Sequence, residues 1–88
     1  MQYEIKPNLK RLLKKILKKD KVLYNQTIKK IQEIIESKNI DHYKNLKNPL
    51  QEYKRIHIIG PFVLIFKYLK KENKLIFCEL NHHDNIYK

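Results

Sequence analysis

The chain has 88 residues, 42% apolar and 33% charged types, and a formal charge of +11. That length serves one modest hydrophobic core, so a single domain over residues 1–88 is expected, and the composition is globular rather than disordered. One cysteine, Cys78, excludes an internal disulfide and a Cys-rich metal fold. The longest uncharged apolar run, Ile56 to Phe66, is broken by His57, Gly60 and Pro61 and is far too short for a bilayer.

Two further expectations follow from these features. The Met-Gln-Tyr-Glu start has no basic-then-apolar signal segment, so a cytoplasmic protein is expected. The charge fits nucleic acid or an acidic protein as partner. The competing source of charge is biased residue usage, since eighteen of the twenty basic residues are Lys and Ala is absent.

Tyr3 to Ile5 suits a short strand. Pro7 then opens a helix in which Leu9, Leu12, Leu13, Ile16 and Leu17 recur at three-and-four spacing, with Lys10, Arg11, Lys14, Lys15, Lys18 and Lys19 on the other faces. From Lys6 to Lys21 there are eight basic residues and one acid, Asp20, a local charge of +7. Asp20 breaks the pattern and caps a second helix, whose inward side is Leu23, Tyr24, Thr27, Ile28, Ile31, Ile34 and Ile35 and which ends near Ser37 to Asn39. Ile40 to Gln51 reads as a loop punctuated by Asn45, Asn48 and Pro49.

The period then changes. Tyr53–Ile59, Phe62–Leu69 and Lys74–Leu80 are rich in Ile, Val, Phe and Tyr, and Gly60-Pro61 and Lys70–Asn73 separate them, which predicts a three-stranded meander. The nearly unbroken apolar run Phe62–Phe66 marks a central strand covered on both faces. Asn81–Lys88 is a short polar tail. The expected class is α+β in the order β-α-α-β-β-β, a helical hairpin packed on a small antiparallel-rich sheet.

Three groups of residues suit chemistry. The tail holds His82, His83, Asp84 and Tyr87; imidazole exchanges protons near neutral pH and a tyrosine stacks or donates a hydrogen bond. A frayed polar terminus is the bland alternative, and no HExxH or CxxC spacing supports a metal site, so neither metal nor cofactor is expected. Period two puts His57 on one face of its strand with Arg55 and Ile59, and Lys54, Ile56 and Ile58 on the other; twist at the sheet end brings Lys54 toward the same groove. A half-buried structural histidine is the alternative there. Lys44, Lys47, Lys54 and Arg55, interleaved with Tyr43 and Tyr53, suit single-stranded nucleic acid, against the alternative of a solvated Lys-rich loop. No Walker loop, dinucleotide fingerprint, serine elbow or zinc finger is present, which disfavours NTPases, dehydrogenases and most hydrolases.

The stretch from Leu46 through Asn48-Pro49 to Tyr53-Lys54-Arg55-Ile56-His57, then Phe62-Val63-Leu64-Ile65-Phe66, then Asn81-His82-His83-Asp84-Asn85-Ile86-Tyr87, resembles the RelE/ParE toxin superfamily. The likeness is to the RelE branch with its YafQ-like and YoeB-like members. It extends over nearly the whole chain, because the first strand and two helices keep the family order. It implies a toxin of a type II toxin–antitoxin system that cuts mRNA in the ribosomal A site without a metal, by attack of the 2'-hydroxyl on the adjacent phosphate. By position His83 matches the tail histidine, Tyr87 the terminal aromatic, His57 a strand histidine and Lys54 the cation after the strand-opening aromatic, with Arg55 beside it; Lys44 stands where the YafQ-like subgroup has a histidine. Where many members carry an Arg entering the central strand this chain has Val63, and where YafQ-like members carry an acid it has Pro61.

The resemblance therefore implies His83 as general acid, His57 as base or phosphate contact, Tyr87 as orienter, and transition-state charge on Arg55, Lys54, Lys44 or Lys47; the acid and base are interchangeable. It also implies an acidic RelB-like antitoxin partner, with the basic first helix as its docking face by charge, besides the ribosome and mRNA. A ParE-like toxin acting on gyrase and a non-catalytic basic nucleic-acid-binding protein are the alternative readings.

Overall fold

The structure, a computed structural model, describes residues 1–82. The expected site residues His83 and Tyr87 lie outside the described residues. The elements are β1 (Gln2–Ile5), α1 (Pro7–Lys19), α2 (Lys21–Glu36), β2 (Tyr53–Ile59), β3 (Phe62–Leu69) and β4 (Lys74–His82), with 3-10 turns at Ile40–His42 and Lys70–Glu72. The sheet order is β1-β4-β3-β2, with β1 parallel to β4 and the other pairs antiparallel. This is the expected β-α-α-β-β-β arrangement, two helices on a mixed, antiparallel-rich sheet.

Local chemistry sets the boundaries. Lys6 is extended and Pro7 fills the first helical position, where a missing N–H costs nothing. Asp20 serves both helices. Its backbone N–H donates to the Ile16 carbonyl and closes α1, while its carboxylate accepts from the Leu23 N–H at 3.0 Å and caps α2. Leu9 and Leu13 of α1 and Leu23, Thr27, Ile31 and Ile34 of α2 are buried against the sheet residues Ile58, Leu64, Phe66, Leu75, Phe77 and Leu80. The buried Thr27 hydroxyl donates to the Leu23 carbonyl at 2.8 Å, so it enters the core without an orphaned polar atom. Lys70 reaches Asp41 at 2.9 Å and joins the two 3-10 turns.

β3 is buried on both faces from Val63 to Phe66. Leu64 and Phe66 meet the helices; Val63 and Ile65 meet Leu46, which the 43–52 segment folds over the opposite face together with Tyr53. This segment is more ordered than a plain loop. The Leu46 N–H donates to the Tyr53 carbonyl and the Arg55 N–H to the Lys44 carbonyl, both at 2.9 Å, so it lies along β2 as a short extra edge.

Two irregularities change the expected faces. Between β2 and β3 the register slips at Ile58, so His57 pairs with Val63 but Ile59 pairs with Phe62. Ile59 therefore lines a surface hollow with Val22, Leu23 and Phe62 instead of sharing a face with His57. Between β3 and β4, Ile65 pairs with Glu79 and Phe66 with Phe77, leaving Cys78 as the extra residue. Cys78 and Glu79 then both line the face away from the helices. β4 also runs past Leu80: Asn81 and His82, expected in the tail, pair with Val63 and Phe62. Gly60, at φ +56°, makes the β2–β3 turn, a conformation that costs a residue without a Cβ little. Among the described residues no helix is long and apolar enough to cross a membrane.

Candidate active site on the open sheet face

The helices take one face of the sheet. The other presents a ladder of side chains: His57 beside Val63 and Asn81, then Arg55 beside Ile65 and Glu79, then Tyr53 beside Lys67. Alternation along β2 places Arg55 and His57 together, as the sequence implies. Arg55 is half-buried and His57 exposed.

The His57 ring is held by its own hairpin: Nε2 lies 2.6 Å from the Gly60 carbonyl oxygen. A carbonyl only accepts, so Nε2 carries the proton. In the neutral ring the remaining lone pair is on Nδ1, and Nδ1 is the atom able to take a proton. Lys67 stands one row from Arg55. Its Nζ is 4.7 Å from the centre of the Tyr53 ring and 3.4 Å from a Glu52 carboxylate oxygen. Burial works to lower its pKa, but Tyr53 and Glu52 together outweigh that and hold it above the usual lysine value, so it remains a cation.

Lys54 requires a correction. It was expected to bind substrate, but it sits on the helix-side face of β2 at 7% exposure, and its ammonium donates to the Tyr43 carbonyl and to Asn45 Oδ1, both at 3.0 Å. Strand twist does not carry it round to the groove. It fastens the 43–46 segment to β2, because a buried ammonium needs acceptors and this segment supplies them. Lys44 and Lys47 are exposed on that same segment.

A cleft of about 450 Å³ opens beside Arg55, between the 43–52 segment and the start of α1. Leu46, Leu50 and Ile65 line it with Lys67, Cys78 and Glu79. Burial pushes the Cys78 thiol up from its ordinary pKa, so it stays protonated at neutral pH. Lys67 and Glu79 were missed from sequence. The signal for Lys67 was present, two residues beyond Ile65 on the same face; Glu79 was hidden by the extra residue at Cys78. Among the described residues no three His, Cys, Asp or Glu side chains come together as a metal site would require.

On the far side, α1 exposes Lys10, Arg11, Lys14, Lys15, Lys18 and Lys19. Among the described residues none of these cations has a carboxylate within ion-pair distance; the pairs that form are Lys30–Glu33, Lys67–Glu52, Lys70–Asp41 and Lys74–Glu4. Leu17 lies among them, 44% exposed.

No family model matches the chain. Over 87 residues it is 44% identical to a Methanocaldococcus jannaschii protein bearing the name of a toxin, RelE4, a match that spans 99% of this chain and 90% of that one. Among solved structures, the YoeB–YefM complex from Staphylococcus aureus superposes with a TM-score of 0.74 at 14% identity, over 94% of this chain and 97% of the matched one. YafQ from E. coli strain BL21(DE3) gives 0.73 at 15% identity, over 99% and 98%. The two structures share the fold of two helices on one face of a four-stranded sheet, and the relative shares the sequence through nearly its whole length; the chain belongs to the RelE family of toxins.

Proposed function

We propose that this protein is the toxin of a toxin–antitoxin pair and a ribosome-dependent endoribonuclease that cuts mRNA on its open sheet face. The observation that carries the reading is Arg55 and His57 side by side on the face the helices leave uncovered. RNA cleavage by its own 2'-hydroxyl needs a base for that hydroxyl, positive charge for the pentavalent phosphorus, and an acid for the departing 5'-oxygen. His57 Nδ1 takes the 2'-hydroxyl proton. The 2'-oxygen then bonds to phosphorus, the bond to the 5'-oxygen breaks, and a 2',3'-cyclic phosphate and a 5'-hydroxyl result. Arg55 binds the phosphoryl oxygens in its planar fork, with Lys44 and Lys47 adding charge from the flanking segment. His83 protonates the 5'-oxygen and Tyr87 orients the neighbouring base.

The partner is an acidic antitoxin. YoeB is seen in complex with YefM as toxin and antitoxin, and the cations of α1 around exposed Leu17, which have no carboxylate partner among the described residues, suit an acidic amphipathic helix. The reading places the protein in the cytoplasm, where translating ribosomes are. Primer extension on a reporter mRNA in a translating extract tests it, with the wild type beside Arg55→Ala, His83→Ala and Tyr87→Ala. Breaks within codons of translated message that vanish in the variants are the expected result. Intact message with a folded wild type contradicts the nuclease and sends the question to a gyrase supercoiling assay.

A further inference from the structure

Of the described residues that line the cleft, Glu79 is the one carboxylate, and Lys6 and Lys67 are the cations. Glu79 lines the cleft beside Arg55, one strand beyond Ile65. Among the described residues it makes no hydrogen bond or ion pair, while its neighbour Lys67 is already engaged by Glu52. Such a group repels a nucleic-acid backbone but accepts hydrogen bonds from the edge of a base. Asn8 lines the same cleft: one N–H of its side-chain amide donates to the Cys78 carbonyl at 3.2 Å, which orients the amide and leaves Oδ1 to accept and the second N–H to donate. The remaining walls include Leu46, Leu50 and Ile65, apolar surfaces suited to the faces of a flat ring.

We propose that this cleft is a guanine subsite for the RNA strand, with the Glu79 carboxylate as the specificity-determining group. The proposal rests on the RNA reading given above and extends it to base choice. An edge bearing two adjacent donors fits a carboxylate with both oxygens open, and guanine alone among the four bases has one, at N1–H and the N2 amino group. Adenine and cytosine offer an amino group beside a bare acceptor nitrogen, which would face the carboxylate lone pairs. Uracil offers one N–H between two carbonyls. Backbone spacing supports the placement: Arg55 and Glu79 stand in one row with only β3 between them, two inter-strand steps of roughly 4.8 Å apart, a separation that a strand with a phosphate at Arg55 and a base in the cleft is able to span.

The test is binding of non-cleavable 2'-O-methyl pentanucleotides that differ in the central base, followed by fluorescence anisotropy with wild type and Glu79→Gln, whose unfolding midpoints are compared first. Wild type is expected to bind the guanine strand on the order of tenfold tighter than the other three. In Glu79→Gln the ratio turns toward adenine, because a Gln amide accepts from N6–H and donates to N1. Equal wild-type binding of all four strands overturns the proposal and leaves the RNA reading standing, as does a guanine preference that survives Glu79→Gln. Free GMP competing as well as the strand also overturns it, in favour of a mononucleotide site. Binding to none of the strands also overturns the proposal, while the RNA reading itself stands or falls on the primer-extension assay in translating extract.

Discussion

His57 is fixed at one nitrogen and free at the other, and this decides what it is able to do. With Nε2–H committed to the Gly60 carbonyl, Nδ1 is the basic atom. His57→Asn retains a donor for the turn but has no titrating nitrogen. It should lower the cleavage rate by about 10²–10⁴-fold in single-turnover assays while leaving the urea midpoint in place. Lys54 teaches the opposite lesson. Its sequence position beside Arg55 suggested substrate, yet alternation had already put it on the other face, and its burial with two oxygen partners is what that face demands. Lys54→Ala strands the Tyr43 carbonyl and Asn45 Oδ1 and should cost about 1–3 kcal/mol in urea unfolding. Cys78 is held as a thiol by burial, so alkylation by iodoacetamide at neutral pH should run slower than that of a free cysteine, measured by mass spectrometry.

The elements were legible where a single physical signal governed them. Asp20 interrupts an apolar stripe with a short carboxylate, and the structure uses it as the stop of one helix and the cap of the next. Asp20→Ala should therefore lower stability by about 1 kcal/mol, read from thermal unfolding by circular dichroism. The strands of the meander were equally readable from their β-branched runs. What escaped was register. The slips at Ile58 and Cys78 are single extra residues in otherwise regular strands, and no residue type announces a bulge. They moved Ile59 off the His57 face and put Glu79 into the cleft. The ordering of Lys44 and Leu46 along β2 was hidden for another reason: it depends on the Lys54 ammonium and on hydrogen bonds between segments, not on local propensity.

Across the whole molecule the sheet separates the exposed cations of α1 from the Arg55–His57 face. In the proposed function the acidic partner on α1 and the substrate on the other face would therefore meet different sides of the protein. Lys14, Lys15 and Lys18 have no carboxylate to lose among the described residues, so reversing them to Glu should leave the fold intact. The reversal should weaken binding of the co-expressed acidic partner and reduce the salt dependence of that binding.

The proposed cleavage is identified by the ends it leaves. Fragments of a translated reporter mRNA, isolated after a brief exposure to the toxin, should carry a 2',3'-cyclic phosphate on one side of the cut and a 5'-hydroxyl on the other, the products of 2'-hydroxyl attack aided by His57 and Arg55. Fragments with a 5'-phosphate and a 3'-hydroxyl would show that water is the nucleophile and contradict attack by the 2'-hydroxyl.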